Sequence, residues 1–130
     1  MSRRTIKSTK RSCDRLWAQL VKSQAGGRCE RCDKYPRTPH DLHAHHCYGR
    51  SDHRLRFDLR NGVSLCWLHH RWAEEHPLEF AEWFEKHRPE DTDYLYAQRQ
   101  KGILKRDLDD YLKLEEGLKQ ALAIVGEKVA

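Results

Sequence analysis

The chain contains no apolar run long enough to form a membrane span or the core of a signal peptide, which predicts a soluble, intracellular protein. Apolar matter is scarce throughout. Hydrophobic residues fill 38% of the 130 positions against 35% charged, with a mean hydropathy of -0.98, so a second independent core is not expected and a metal staple would help define a single one. There is no internal repeat, no low-complexity tract, and nothing that resembles a base-reading motif. The five cysteines, Cys13, Cys29, Cys32, Cys47 and Cys66, are odd in number and do not suggest a disulfide framework. No thioredoxin-like βαβ pattern surrounds Cys29-x-x-Cys32, which disfavours a redox pair.

What is abundant is charge, and it is unevenly placed. Residues 1–60 hold 15 Lys and Arg against 6 Asp and Glu, whereas residues 61–130 hold 10 against 14. A basic half of this kind suits a polyanion. Residues 1–11, with Arg3, Arg4, Lys7, Lys10 and Arg11 but only Ile6 as a large apolar residue, read as a basic flexible arm.

Ser12 reads as the N-cap of a helix to about Ser23 that places Leu16, Trp17, Leu20 and Val21 on one face, with Gly26-Gly27 ending it. A strand over about Leu42–Tyr48, a polar loop over Gly49–Arg60, a short strand around Val63–Leu65 and a helix over about Trp67–Glu75 follow in close succession. Pro77 then suits the first turn of a further helix carrying Phe80, Trp83 and Phe84. From Leu104 onwards, Leu108, Tyr111, Leu118, Leu122 and Val125 recur in steps of four and three with Glu115 interrupting them. That spacing suits either docking on the chain's own core or a homodimer seam.

Nine histidines are present, and five of them, His40, His43, His45, His46 and His53, fall within fourteen positions. Cys66-x-x-His69 repeats the spacing of Cys29-x-x-Cys32, and the four together form a Cys3His set suited to tetrahedral zinc. Neighbours on a strand point to opposite faces, so His45 and His46 serve one site only if the strand bends or the site is reached from two sides. Cys13 and Cys47 read as small core residues.

Taken together, Cys29-x-x-Cys32, His45-His46, Asn61 and Leu65-Cys66-x-x-His69-His70 resemble the motif of the HNH (ββα-metal) endonuclease family, in particular its small phage-type members, over about residues 28–88. The resemblance implies an α+β fold, with a ββα-metal core and a Cys3His zinc knuckle flanked by an N-terminal helix and C-terminal helices. The implied division is an arm at 1–11, a nuclease domain at 12–88 and a helical segment at 89–130.

The same resemblance makes His46 the general base, Asn61 the residue that fixes the hairpin, and His45 and His70 ligands of a catalytic divalent ion such as magnesium or manganese. It adds Glu74, one turn beyond His70, as a further ligand; the alternative for Glu74 is a solvated helix charge. Many members have a fourth cysteine where this chain has His69, which leaves open an exchange of roles between His69 and His70. The implied reaction is hydrolysis of DNA phosphodiesters, by nicking or double-strand cleavage, to 5'-phosphate and 3'-hydroxyl ends. The implied partners are DNA and phage packaging or recombination proteins, in the cytoplasm of a bacterial host and with no membrane. Arg50, Arg54, Arg56 and Arg60 on the intervening loop are candidates for gripping DNA. The rival reading is a zinc-binding DNA module without turnover.

Overall fold

The computed structural model describes residues 3–129, apart from the side chains of residues 39 and 127–129. Among the described residues there are five helices and one two-stranded antiparallel sheet, so the chain is α+β. In order these are α1 (Ile6–Gln24), β1 (Leu42–His46), β2 (Gly62–Cys66), α2 (Trp67–Glu75), α3 (Pro77–His87), α4 (Pro89–Arg99) and α5 (Leu108–Val129). None of these helices is long and apolar enough to cross a membrane.

The hairpin pairs His43 with Leu65, His45 with Val63 and His46 with Gly62. Its two faces are covered by different elements. Cys29, Val63, Leu65, Phe80, Phe84 and Leu95 belong to one core, under α2, α3 and α4. Cys13, Leu16, Trp17, Leu20 and Tyr111 belong to a second, under α1 and α5, and Ala44 packs against it. Gly62 lets α1 approach β2 closely, because a Cβ there would overlap Val21 and come within 2.8 Å of the Trp17 ring.

One expectation from the sequence needs correction. Helix α1 starts at Ile6, so residues 6–11 are its first turns rather than a flexible arm. The reason is a capping box in which Ser8 N donates to Thr5 Oγ1 at 3.0 Å and Thr5 N donates to Ser8 Oγ at 3.1 Å, while Ser12 lies buried in mid-helix. Helix α4 falls inside the helical segment expected at 89–130, where the sequence did not mark it as a separate element. Helix α5 begins at Leu108, where Asp110 N donates to the Asp107 side chain at 2.8 Å, so Leu104 of the apolar series lies ahead of it.

Helix α5 docks on α1, burying Tyr111 and Leu118. Glu115, which interrupts the apolar series, is also buried, and Arg4 Nη2 reaches its Oε2 at 2.6 Å. A charged residue can occupy this seam because its partner arrives from just ahead of α1.

Candidate metal centres

Among the described residues two groups of metal-ligating side chains come together, one joining the turn after α1 to β2 and α2 and the other on β1 and α2. The first is Cys29, Cys32, Cys66 and His69, whose ligand atoms all lie within 4.8 Å of one another and could hold a metal ion. Cys29 and Cys32 come from the turn after α1, Cys66 ends β2, and His69 lies in the first turn of α2. His69 Nδ1 is 3.5 Å from Cys29 Sγ and 3.3 Å from Cys66 Sγ. Bonds of about 2.3 Å to sulfur and about 2.0 Å to nitrogen around a tetrahedral ion set an S···N edge of about 3.5 Å, so His69 sits at ligand spacing from Cys29 and Cys66. Burial acts to raise the Cys29 thiol, but hydrogen bonds with the backbone of Cys32, Cys66 and Arg31 outweigh it and hold the group below its ordinary value, which favours the ligating thiolate.

The second group is His45, His70 and Glu74. The i, i+4 step of α2 brings His70 Nε2 to 3.0 Å from Glu74 Oε1. Adjacent ligands around an octahedral ion with bonds of about 2.1 Å lie about 3.0 Å apart, so this spacing also fits a divalent cation with oxygen and nitrogen donors. Burial pushes His45 down to about 4, with His70 and His46 adding to the shift, so its imidazole is neutral and its lone pair is available. His45 meets Phe80 edge-on at 4.8 Å, and His43 stacks on His70 at 4.9 Å. His69 therefore falls with the thiols and His70 with the carboxylate. His40 is exposed.

His46 points to the other face of β1, yet it shares with His45 and Glu74 the border of a cavity of about 330 Å³ that Pro77, Phe80 and Phe84 close on the apolar side. Its ring stacks on Trp17, and its Nε2 lies 3.0 Å from the carbonyl oxygen of Arg56. A carbonyl can only accept, so Nε2 carries the proton and Nδ1 holds the lone pair. Burial lowers the pKa of His46, an effect only partly opposed by the Arg56 carbonyl, which keeps the ring neutral.

Asn61 is fully buried at the start of β2. Its Oδ1 accepts from Tyr48 N at 2.9 Å, and its Nδ2 donates to Tyr48 O at 2.9 Å and to Leu55 O at 3.1 Å. One amide thus pins both ends of the loop that separates the strands.

The loop arginines are mostly committed internally. Arg56 forms a two-pronged pair with Asp14 of α1 at 3.1 and 2.7 Å, with only 14% of its side chain exposed. Arg60 bonds Asp91 at 2.6 Å and lies over the Tyr94 ring, and Arg54 donates to the Gly102 carbonyl at 3.2 Å. Arg50 is exposed and has no such partner among the described residues. Cys47, pushed up to about 12 by burial, and Cys13, pushed up to about 11 by burial, are protonated thiols packed with the cores.

The sequence alone did not single out Trp17, Asp14 or Arg88 as parts of this assembly. Arg88 fastens the joint between α3 and α4 to the hairpin through Gly62 O at 2.7 Å and Arg60 O at 3.0 Å. Pro89, directly after Arg88, was the available signal at that joint, but it does not reveal the partner. Comparison with known protein families, curated proteins and solved structures found no match to this chain.

Proposed function

We propose that the chain is a DNA endonuclease of the HNH (ββα-metal) type, with a structural zinc in the Cys3His cluster and a catalytic divalent ion, magnesium or manganese, at His45, His70 and Glu74. The observation that carries this reading is the convergence on one hairpin-helix unit of a neutral, proton-accepting histidine and a second ligand group distinct from the thiol cluster. A zinc-binding DNA module without turnover needs the thiols but has no use for the second group.

In this reading the zinc would staple the turn after α1 to the head of α2, which fixes where His70 and Glu74 stand. His45, His70 and Glu74 would hold the second ion, whose charge would stabilise the phosphate oxygens and the departing 3' oxygen. His46 accepts a proton at Nδ1 from water, whose oxygen attacks phosphorus as the bond to the 3' oxygen breaks, and that oxygen is then protonated by solvent. Asn61 acts indirectly, by fixing the loop whose Arg56 carbonyl orients His46.

The test is incubation of the purified chain with supercoiled, linear and branched DNA, with and without added magnesium or manganese. Conversion of supercoiled plasmid that requires the added ion supports the reading, and its absence on all three substrates leaves the zinc-binding module.

A further inference from the structure

We propose that duplex DNA lies along the exposed face of α1, its phosphates contacted by Lys7, Arg11, Arg15 and Lys22. The choice of DNA as the polyanion rests on the nuclease reading; the location of the surface does not. At about 3.6 residues per turn these four side chains fall on one side of the helix, opposite the buried Cys13, Leu16 and Leu20, and span about 22 Å along its axis.

The row carries unrelieved positive charge. None of the four is in a salt bridge among the described residues, and the one acid of α1, Asp14, is taken by Arg56. Several arginines elsewhere are neutralised, with Arg4 on Glu115, Arg60 on Asp91, Arg88 on Glu30 and Arg99 on Asp52. Like charges at i, i+4 destabilise a helix by roughly 0.2–0.5 kcal/mol per pair, so the fold carries a cost at Lys7, Arg11 and Arg15 that an external anion would relieve.

The placement also connects the surface to the histidines. Trp17 of the same helix stacks on His46, and Asp14, which lies between Trp17 and Arg11 around the helix, holds the residue whose carbonyl bonds His46. A duplex on this row would therefore be borne by the helix whose Trp17 and Asp14 pose His46, with His46 itself under the buried side of α1. The loop that would otherwise be the natural contact offers only Arg50 as an uncommitted guanidinium, because Arg54, Arg56 and Arg60 are held internally.

The experiment is fluorescence anisotropy of a short labelled duplex titrated with the full chain, without added magnesium or manganese, at several salt concentrations. It compares wild type with Lys7→Ala/Arg11→Ala/Arg15→Ala and with Lys86→Ala/Lys101→Ala/Lys105→Ala, which removes the same charge elsewhere. Alanine keeps α1 helical, and thermal melting confirms folding of both variants.

The α1 variant is expected to bind about tenfold or more weakly at low salt and to lose about 2 to 3 from the slope of log K against log salt, while the control keeps both. Equal losses in the two variants, or none in the α1 variant, overturn the proposal, and tighter binding of a duplex RNA of the same length overturns the choice of DNA. Plasmid cleavage by the same wild-type preparation separates the two readings. If the slope falls but no plasmid is cut, the surface stands and the nuclease fails; if plasmid is cut but binding by the variant is unchanged, the surface fails alone.

Discussion

The rings of Trp17 and His46 lie stacked with centroids 3.9 Å apart and planes 10° from parallel. The contact is possible because His46 pairs with Gly62 across the hairpin, leaving room for an indole over the strand end. Trp17 is itself anchored, its Nε1 donating to Asp58 O at 2.9 Å. With Nε2 held by the Arg56 carbonyl, only Nδ1 of His46 remains to act. Helix α1, which flanks the hairpin-helix unit in sequence, thus determines the pose of the residue proposed as the base.

Replacing Trp17 with Phe should keep an aromatic face but lose the Asp58 anchor. Turnover is expected to fall by between about 10- and 100-fold with KM nearly unchanged, since a small misplacement of a reacting group is costly. Trp17→Ala, at a site only 2% exposed, should instead cost about 3–5 kcal/mol of stability. Steady-state kinetics and thermal melting distinguish these outcomes, and wild-type turnover in the Phe variant would remove Trp17 from the site.

Asn61→Ala orphans Tyr48 N and Tyr48 O, both bonded to one amide, while Leu55 O keeps its bond from Asp58 N. Roughly 1–3 kcal/mol is lost for each group left buried without a partner. Urea denaturation should show a lower midpoint with an unchanged slope, and an unshifted midpoint would mean that the loop is held by other contacts.

Asp91 tests the fastening of α4. Burial would raise its carboxyl, but Arg60 and Arg88 hold it below its ordinary value of 3.8, so its contribution is present above that value and is lost as pH falls through the lower folded one. Asp91→Asn should therefore be clearly less stable than wild type at pH 7, with the gap closing as pH drops below the ordinary carboxyl value. A gap that stays constant across that range would show that the ion pairs contribute nothing.

Metal analysis should find about one tightly held zinc per chain, and Cys66→Ser or His69→Ala should release it and lower the melting temperature. His70→Ala should retain the zinc and weaken magnesium or manganese binding. Zinc loss on His70→Ala would reverse the assignment of the two histidines, and Cys13→Ser is the control that should affect neither.

Local signals carried much of this arrangement. The hairpin and α2 could be placed because the alternation, the turn residues and the Cys-x-x-Cys spacing are all short-range, and Pro77 marks the start of α3 within one turn. What escaped is set by distant partners. Arg56 looks like a free loop arginine until Asp14, 42 residues away, comes beside it, and Arg60 does so until Asp91, 31 residues away, is seen. Glu115 looks like a break in a heptad pattern because its partner Arg4 is 111 residues upstream. The start of α1 was hidden because serine, not glutamate or glutamine, completes its capping box. The bounds of α4 within the expected helical segment were hidden because Leu95 is its only buried residue.

The most direct measurement is the rate of supercoiled plasmid nicking by wild type and by His46→Ala in magnesium and in manganese, with zinc content and melting temperature recorded for both preparations. Wild type should nick only when the divalent ion is added, and His46→Ala should be about 10²- to 10⁴-fold slower while retaining its zinc and its fold. Equal rates in the two proteins, or no ion-dependent nicking by wild type, would contradict the proposed chemistry at His46.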